Sequence, residues 1–303
     1  MAKTTGIGRK QQNRFVWFSL APMLLLFGVF SIFPIVFNLI VSFFNFNLFN
    51  PANSQFVGFG NYIGLPKLDR FGMIMRNTFF FASVSVIANI VLSLGVCLAI
   101  NSLRGTRAKS FFRTSFFLPV VLPVVAVAKI WQVMFDAQSG IVNRFIKMFG
   151  VAENIYWLAN PETAMYAVIV VTLFMDLGYN IVLFLAGMEG IPRTFIEAAR
   201  IDGANEFTLF RKMIIPLMSR TTLFIFIMTT ISYFQAFGQI NIMTKGGPDR
   251  ATEILSYSIY RYAFALSSPM MSTAATLAVL LLVIILLVSV IQLIVGKSDW
   301  DYD

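Results

Sequence analysis

The chain has 303 residues, of which 58% are hydrophobic and 12% are charged, whereas a soluble domain carries about 25% charged residues. So little charge cannot cover a water-soluble globule of this size, and the composition indicates a membrane protein. The net charge of +9 does not indicate a nucleic-acid partner, because the cations stand beside apolar runs rather than in a basic stripe. The absence of histidine excludes histidine-dependent catalysis and histidine-ligated metal sites, and no metal site is expected.

Six apolar stretches are long enough to cross a bilayer, which takes about 20 residues in a helix. Helices are predicted rather than barrel strands, because the stretches are long and continuously apolar and a backbone in lipid must satisfy its own hydrogen bonds. The predicted spans are 15–44, 77–101, 112–135, 163–188, 221–241 and 272–295. The fold class is therefore all-α, with a basic amino-terminal segment at 1–14, a membrane domain at 15–295 and a short tail at 296–303. The first span is too long for a signal-peptide core and is expected to remain uncleaved.

The distribution of Lys and Arg predicts how the chain is oriented. Basic residues are concentrated in 1–14, 102–113 and 189–220, and Lys297 follows the last span, whereas the other connections are longer and carry fewer cations. Cytoplasmic loops carry the excess of Lys and Arg. Both termini and the 189–220 loop are therefore predicted to be cytoplasmic.

The 189–220 loop is longer than a helix–helix connection requires, and its sequence predicts two short helices. Thr194 and Glu197 have the spacing of a capping box at a helix start. Gly203 can adopt the left-handed conformation that ends a helix, and Asn205 can cap the next one. We therefore expect a helix–turn–helix element on this side of the membrane.

The second predicted helix carries an apolar ridge. Phe207, Phe210 and Ile214 are spaced to share one face, and Pro216 ends or bends the segment before the next span. One interpretation is a surface helix that lies in the lipid headgroups. The other is a protruding element that docks onto a partner protein, since an exposed apolar ridge with charged flanks suits such a contact.

Residues 197–204 read Glu-Ala-Ala-Arg-Ile-Asp-Gly-Ala, and 214–217 read Ile-Ile-Pro-Leu. This pattern, placed between the fourth and fifth of six spans, resembles the EAA motif of binding-protein-dependent ABC transporter permeases. Segments 56–62, 112–119 and 246–264 resemble further parts of the sugar-type group, which includes relatives of the larger maltose permease subunit and of the glycerol-3-phosphate permease. The resemblance implies that the loop couples the chain to an ATPase through Glu197, Ala198, Ala199, Asp202, Gly203, Ala204, Phe207, Phe210 and Pro216.

The same resemblance implies a set of partners. A second, non-identical permease subunit, two cytoplasmic ATP-binding cassette ATPases and an extracytoplasmic solute-binding protein would complete the importer in a bacterial or archaeal cell membrane. ATP and Mg would be bound by the ATPases, so this chain is expected to hold no cofactor and to be no enzyme. Residues 296–298 read Gly-Lys-Ser, but position 291 is Ile where a phosphate-binding loop requires Gly.

Polar residues inside the predicted spans are the candidates for a solute path. A charge buried in a span is costly and should face a bundle interior or water, although Lys129 could instead reach the interface, Asp176 could stabilise helix packing, and about half of the hydroxyl groups could bond their own helix. In maltose-type relatives this part of the fourth and fifth spans lines a solute site. The candidate set is Lys129, Asp176, Tyr179, Asn180, Thr229, Ser232 and Tyr233.

The sequence leaves the solute open. A sugar or oligosaccharide is favoured, because a phosphate would require cavity arginines and Lys129 is the only basic candidate within a span. Glycerol-3-phosphate or another polyol is the alternative. An ion-coupled secondary transporter would need several carboxylates or histidines in its spans, and a membrane enzyme would need more buried acids; Asp176 alone serves neither mechanism.

Overall fold

The computed structural model describes residues 9–103, 105–150 and 153–296. The predicted tail therefore lies outside the described residues except for Gly296, and part of the predicted amino-terminal segment belongs to the first helix. A two-residue antiparallel pairing joins Phe44–Asn45 to Gln55–Phe56. The helices are α1 (Arg9–Phe27), α2 (Phe33–Ser42), α3 (Gly60–Gly64), α4 (Phe71–Ser102), α5 (Thr106–Phe117), α6 (Val124–Met134), α7 (Ile141–Lys147), α8 (Pro161–Glu189), α9 (Arg193–Ile201), α10 (Glu206–Leu209), α11 (Ile215–Leu217), α12 (Ser219–Phe234), α13 (Gly238–Met243), α14 (Leu255–Tyr260) and α15 (Met271–Val295).

Five helical stretches of the described chain are long and apolar enough to cross a membrane, and a sixth is counted if one bent pair is a single span. The five are Val16–Ser42, Phe71–Ser102, Pro161–Glu189, Ser219–Met243 and Met271–Val295. The all-α prediction is confirmed at this level. The second span begins at Phe71, six residues before its predicted start at 77.

The predicted span at 112–135 is not a straight helix. Thr106–Val121 and Val124–Met134 meet at an angle of 99°. Pro119 and Pro123 donate no backbone hydrogen bond, and a proline pushes the residue before it into an extended conformation. Leu122 is extended accordingly, with φ −78° and ψ 140°. The two prolines therefore explain why a continuous apolar run contains a sharp break.

The core lies where α4, α8 and α12 pack against one another, with α15 closing one side. The crossing of α5 and α8 is very close at Gly178, where a Cβ atom would overlap the backbone carbonyl of Phe116. The amino-terminal span contributes less: α2 packs along α15, but most side chains of α1 are exposed.

Ion pairs mark the two ends of the bundle. Arg113 pairs with Glu189, which joins α5 to the end of α8. At the other end, Arg70 pairs with Asp249 at 2.5 Å. Gln132 of α6 reaches this second end, where its Nε2 donates to the carbonyl of Met243 at 2.9 Å. The bent pair thus runs from one end of the bundle to the other.

The loop between α8 and α12 has the predicted helix–turn–helix form: α9 is followed by a turn and by a second helical segment that runs from α10 through the π-helical turn Phe210–Ile214 into α11. The predicted capping box, however, is wrong. Helix α9 begins at Arg193 directly after Pro192, so Thr194 lies inside the first turn and no side chain caps the helix. Pro192 itself stands just outside the helix, with φ −59° and an extended ψ of 131°. Gly203 has the predicted positive φ of 82°. Asn205 caps α10, its Oδ1 accepting from the backbone amide of Thr208 at 2.8 Å.

Candidate functional site

A cavity of about 270 Å³ opens between the break in the bent pair, α8 and α12. Val120 at the break supplies one wall, α8 supplies Asp176, Tyr179 and Asn180, and α12 supplies Met228, Thr229, Ser232 and Tyr233. Six of the seven candidates from the sequence therefore meet in one place. Their spacing along two neighbouring helices puts them on facing sides, because residues three or four apart share a helix face.

A buried hydrogen-bond network forms the wall of the cavity and joins three spans. Asn89 of α4 donates from Nδ2 to the hydroxyl of Tyr233 at 2.7 Å. Asn180 donates from Nδ2 to Oδ1 of Asn89 at 2.6 Å and to Oγ1 of Thr229 at 2.9 Å. All four side chains are buried. Buried polar groups that satisfy one another rigidify their surroundings, so this wall has a defined shape.

Asp176 differs from these neighbours because it is half-buried and unpaired. Among the residues that the structure describes, its carboxylate takes part in no hydrogen bond or ion pair, and no Lys or Arg lines the cavity. Tyr179 lies beside it with 46% of its surface exposed. The cavity thus presents an aromatic ring, a free carboxylate, and hydroxyl and amide groups, a set that accepts and donates hydrogen bonds without positive charge.

Lys129 does not belong to this group. It lies on the exposed side of α6, whereas Val127 and Ala128 next to it are buried. The structure also adds residues that the sequence analysis missed. Asn89 stands in the second span, where an asparagine in an apolar run was an available signal of interhelical hydrogen bonding.

The loop between α8 and α12 exposes part of its apolar surface. Phe207 is 69% exposed and Ile201 is 86% exposed, on either side of the turn at Gly203. The predicted ridge is narrower than its spacing indicated, because Phe210 and Ile214 are only partly exposed. The π-helical turn Phe210–Ile214 changes the helical register after Phe210 and so turns Ile214 away from the face that the spacing predicted.

The remaining candidates of the loop lie around the turn. Glu197, Ala198 and Asp202 are exposed, and Ala199, Ala204 and Pro216 are partly exposed. The amide of Ala204 donates to the carbonyl of Ala199 at 3.0 Å. Two hydrogen bonds close a helix that ends in a left-handed glycine, and this is the one that spans more residues. The turn is thus held by its own backbone and presents its side chains outward.

A second polar cluster lies at the opposite end of the bundle, after α13. Glu253 is fully buried, paired with Arg250 and with Arg261, the latter at 3.2 Å. Burial would raise the pKa of the Glu253 carboxyl, but hydrogen bonds from Arg250 and Ser258 and the charges of the two arginines bring that pKa below its usual value. Arg250 also pairs with Asp69 at 2.7 Å, so the cluster joins the loops before α4 and after α13.

Comparison with known proteins assigns the chain to a family. A family model described as "Binding-protein-dependent transport system inner membrane component" matches residues 91–298. The lactose transport system permease protein LacF of Rhizobium radiobacter is 31% identical over 285 residues, covering 93% of this chain and 94% of that protein. The sn-glycerol-3-phosphate transport system permease protein UgpA of Agrobacterium fabrum is 30% identical over 215 residues, covering 70% of this chain and 71% of that protein.

The fold has also been seen before. A chain of a bacterial ABC transporter involved in the import of the acidic polysaccharide alginate aligns with a TM-score of 0.81 at 20% identity, covering 95% of this chain and 98% of that one. This likeness concerns the path of the backbone, since so low an identity leaves the side chains of a binding site undetermined. The chain belongs to the binding-protein-dependent transport system inner membrane components, a family of multi-pass transport proteins of the inner membrane.

Proposed function

We propose that this chain is the permease subunit of an ATP-driven importer and forms half of the path for a sugar or oligosaccharide. The observation that carries the proposal is the cavity that gathers Asp176, Tyr179 and Ser232 at the break in a span. Irregular backbone at membrane depth is tolerated where it lines a cavity. A break of this kind therefore suits a solute path better than a purely structural bundle.

The side chains of the cavity suit a neutral carbohydrate. A tyrosine ring can pack against the C–H face of a sugar, while Asn180, Thr229 and Ser232 can exchange hydrogen bonds with its hydroxyl groups. The carboxylate of Asp176 can accept two of those bonds and is stronger as an acceptor than a neutral group. The likeness to the lactose permease LacF supports the same class of solute.

Glycerol-3-phosphate is the second candidate solute, because the chain is also similar to UgpA. A phosphate is bound best by arginine or lysine, and among the described residues that line the cavity there is none. Lys129 lies on the exposed side of α6. It could join the path only where that side faces the second permease subunit.

The loop from α9 to α11 is the proposed contact with the ATPase. Glu197, Asp202, Gly203 and Phe207 form its exposed end. Two cytoplasmic ATPase subunits bind ATP and Mg, the second permease subunit completes the path, and an extracytoplasmic binding protein delivers the solute. Closure of the ATPase pair then shifts the bundle between two states, because the loop links the two equilibria.

The orientation is proposed from the span count and the basic residues together. With the bent pair counted as one span, both termini and the α9–α11 loop would share one side of the membrane, and the excess of Lys and Arg predicts that this side is cytoplasmic. Reporters inserted near Gly203 and after Lys297 should both read as cytoplasmic, and reporters near Gly60 and Gly247 should read as external. Opposite readings for Gly203 and Lys297, the latter outside the described residues, would refute this arrangement.

Uptake by the complete importer in vesicles tests the proposed solute path. The solute is chosen by screening the cognate binding protein against neutral oligosaccharides, polyols and sn-glycerol-3-phosphate. Tyr179→Ala should lower ATP-dependent uptake by about tenfold, which corresponds to a loss of about 1.4 kcal/mol of solute stabilisation. Tyr166→Ala is the matched control, because Tyr166 is an exposed tyrosine of α8 that does not line the cavity.

Three results would contradict the proposal. Unchanged uptake by Tyr179→Ala would remove the cavity from the path. Uptake driven by an ion gradient without ATP would indicate a secondary transporter. Preference of the binding protein for sn-glycerol-3-phosphate over every neutral sugar would replace the proposed class of solute.

A further inference from the structure

Helix α7 (Ile141–Lys147) lies outside the bundle core, in the connection between α6 and α8. This connection stands at the end of the bundle opposite the α9–α11 loop, because α6 reaches that end and α8 begins there. Nothing in the proposed transport path uses it. Its two sides differ sharply in composition, which indicates that one side faces the protein and the other side faces a different surrounding medium.

One side of α7 is anchored to the protein. Asn143 is 4% exposed, and its Nδ2 donates to the carbonyls of Ala137 at 3.0 Å and Ile155 at 2.9 Å. Its Oδ1 accepts from the indole of Trp157 at 2.9 Å. Val142 packs against the core on the same side. The helix is therefore fixed in rotation, so its opposite side is held in one direction.

The opposite side of α7, together with the turn that follows it, is an exposed apolar stripe. Ile141 and Phe145 are each 60% exposed, Met148 is 80% exposed and Phe149 is 75% exposed. Spacings of four and three residues put the first three on one helix face, and the ring of Phe149 stacks edge-on with that of Phe145 at 5.1 Å. Four large apolar side chains held outward in water would be unfavourable.

The charges beside the stripe are all positive. Between Asp136 and Glu153 the sequence contains Arg144 and Lys147 and no acidic residue. Neither cation forms an ion pair with any residue that the structure describes. The carboxylate of Asp136 is already hydrogen-bonded within its own turn, since its Oδ1 accepts from the amide and the hydroxyl of Ser139, each at 2.7 Å.

Two exposed tyrosines near this end of α8 are of the residue type that is common at a membrane interface. Tyr156 is 57% exposed shortly before α8, and Tyr166 is 53% exposed in the second turn of that helix. Tyrosine and tryptophan are enriched where the acyl chains meet the headgroups. The connection thus lies at the depth at which an amphipathic helix would meet phospholipid.

We propose that α7 is an interfacial anchor whose stripe (Ile141, Phe145, Met148 and Phe149) is buried at the boundary of acyl chains and headgroups. Arg144 and Lys147 contact phosphate groups of anionic phospholipid. The occupant of this surface is lipid rather than the second permease subunit, because an apolar face whose own helix carries only cations matches an anionic bilayer surface. The inference is independent of the transported solute.

Fluorescence quenching in the reconstituted importer tests the anchor. In a Cys97→Ala background, Met148→Cys is labelled with the environment-sensitive dye NBD, and Gln138→Cys, exposed in the neighbouring turn, is the matched control. The vesicles contain phosphatidylcholine and phosphatidylglycerol, with or without lipid that carries a nitroxide near the headgroup. The dye at 148 should be quenched by the nitroxide lipid and emit at shorter wavelength, whereas the dye at 138 should be quenched by aqueous iodide.

Two results would overturn the proposal. Quenching at 148 by iodide would place the stripe in water, and protection from both quenchers would place it against a protein subunit. The double variant Arg144→Gln and Lys147→Gln tests the phosphate contact. Replacing phosphatidylcholine by phosphatidylglycerol should move the dye at 148 deeper into the bilayer in the labelled protein that keeps both cations, but not in the double variant. An equal response in both proteins would refute the phosphate contact.

Discussion

The hydroxyl of Tyr233 accepts a hydrogen bond from Nδ2 of Asn89 at 2.7 Å, so the tyrosine of α12 is held by the second span. Only 1% of its surface is exposed although it borders the cavity. Asn180, which bonds Oδ1 of Asn89, extends this link to α8. Tyr233 therefore determines the shape of the wall, while Tyr179 offers more area to a solute.

Two replacements of Tyr233 should separate the contribution of its ring from that of its hydroxyl group. Tyr233→Ala opens a hole and leaves Asn89 without its acceptor, and a buried aromatic truncation costs about 3–5 kcal/mol of folding stability. We expect lower uptake with ATPase binding intact. Tyr233→Phe keeps the ring and should cost about 1 kcal/mol. Uptake assays and thermal unfolding of the detergent-solubilised complex measure the two expected effects, on transport and on stability. Equal effects of the two variants would show that the ring itself contributes nothing.

Gly178→Ala should weaken the contact between α5 and α8. The added methyl group overlaps the carbonyl of Phe116, and overpacking of this kind costs about 1–3 kcal/mol. Gly95→Ala is the control, because at this glycine of α4 no atom beyond the local helix backbone lies within 4 Å of the Cβ position. Thermal unfolding should show a lower midpoint for the first variant only. An unchanged midpoint would mean that α5 can move away from α8 at no cost.

The cluster around Glu253 predicts a dependence of stability on pH. The pKa of its carboxyl is below the usual value in the folded protein, so its stabilisation is fully present above the unfolded pKa. That stabilisation is lost as the pH falls through the lower folded pKa. Glu253→Gln should therefore be less stable than the parent at neutral pH and converge towards it in acid. Glu162→Gln, at an exposed position without an ion pair among the described residues, should show no such convergence.

The parts predicted from sequence were those that depend on local patterns. Hydropathy located the spans, and Gly203 and Asn205 marked the turn of the α9–α10 loop through backbone conformation and capping. The break at Leu122 was missed because the apolar run continues through it, although Pro119 and Pro123 were visible. The network of Asn89 was missed for a different reason: it joins three spans, and such pairings depend on helix rotation that a single sequence does not define.

The residues of the cavity also divide into those that a local pattern predicts and those that depend on how the helices pack. The periodicity of polar residues brought together the candidates on α8 and α12, since each helix carries its own face. Lys129 was included because it lies in a span, but hydropathy alone does not tell which side of α6 faces inward. Pro192 likewise moved the start of α9 ahead of the capping box predicted at Thr194.

The coupling role of the loop is tested by changes at its exposed end. Gly203 has a φ of 82°, which costs a residue with a Cβ about 1–2 kcal/mol, so Gly203→Val should distort the turn. Phe207→Ala removes an exposed ring, and an aromatic side chain is a frequent anchor in a protein interface. Neither residue lies in a span, so insertion into the membrane should be unaffected. Each variant should weaken ATPase association or uncouple ATP hydrolysis from transport.

Two measurements on the same membranes decide this prediction: co-purification of the ATPase subunits and solute-stimulated ATP hydrolysis. Phe111→Ala is the matched control, because Phe111 is 66% exposed on α5 and outside the loop. Loss of association in Gly203→Val and Phe207→Ala, but not in the control, would support a docking surface. Full association and full coupled transport in both loop variants would instead identify the segment as a surface helix, because a docking element cannot lose its turn and its exposed aromatic ring without consequence.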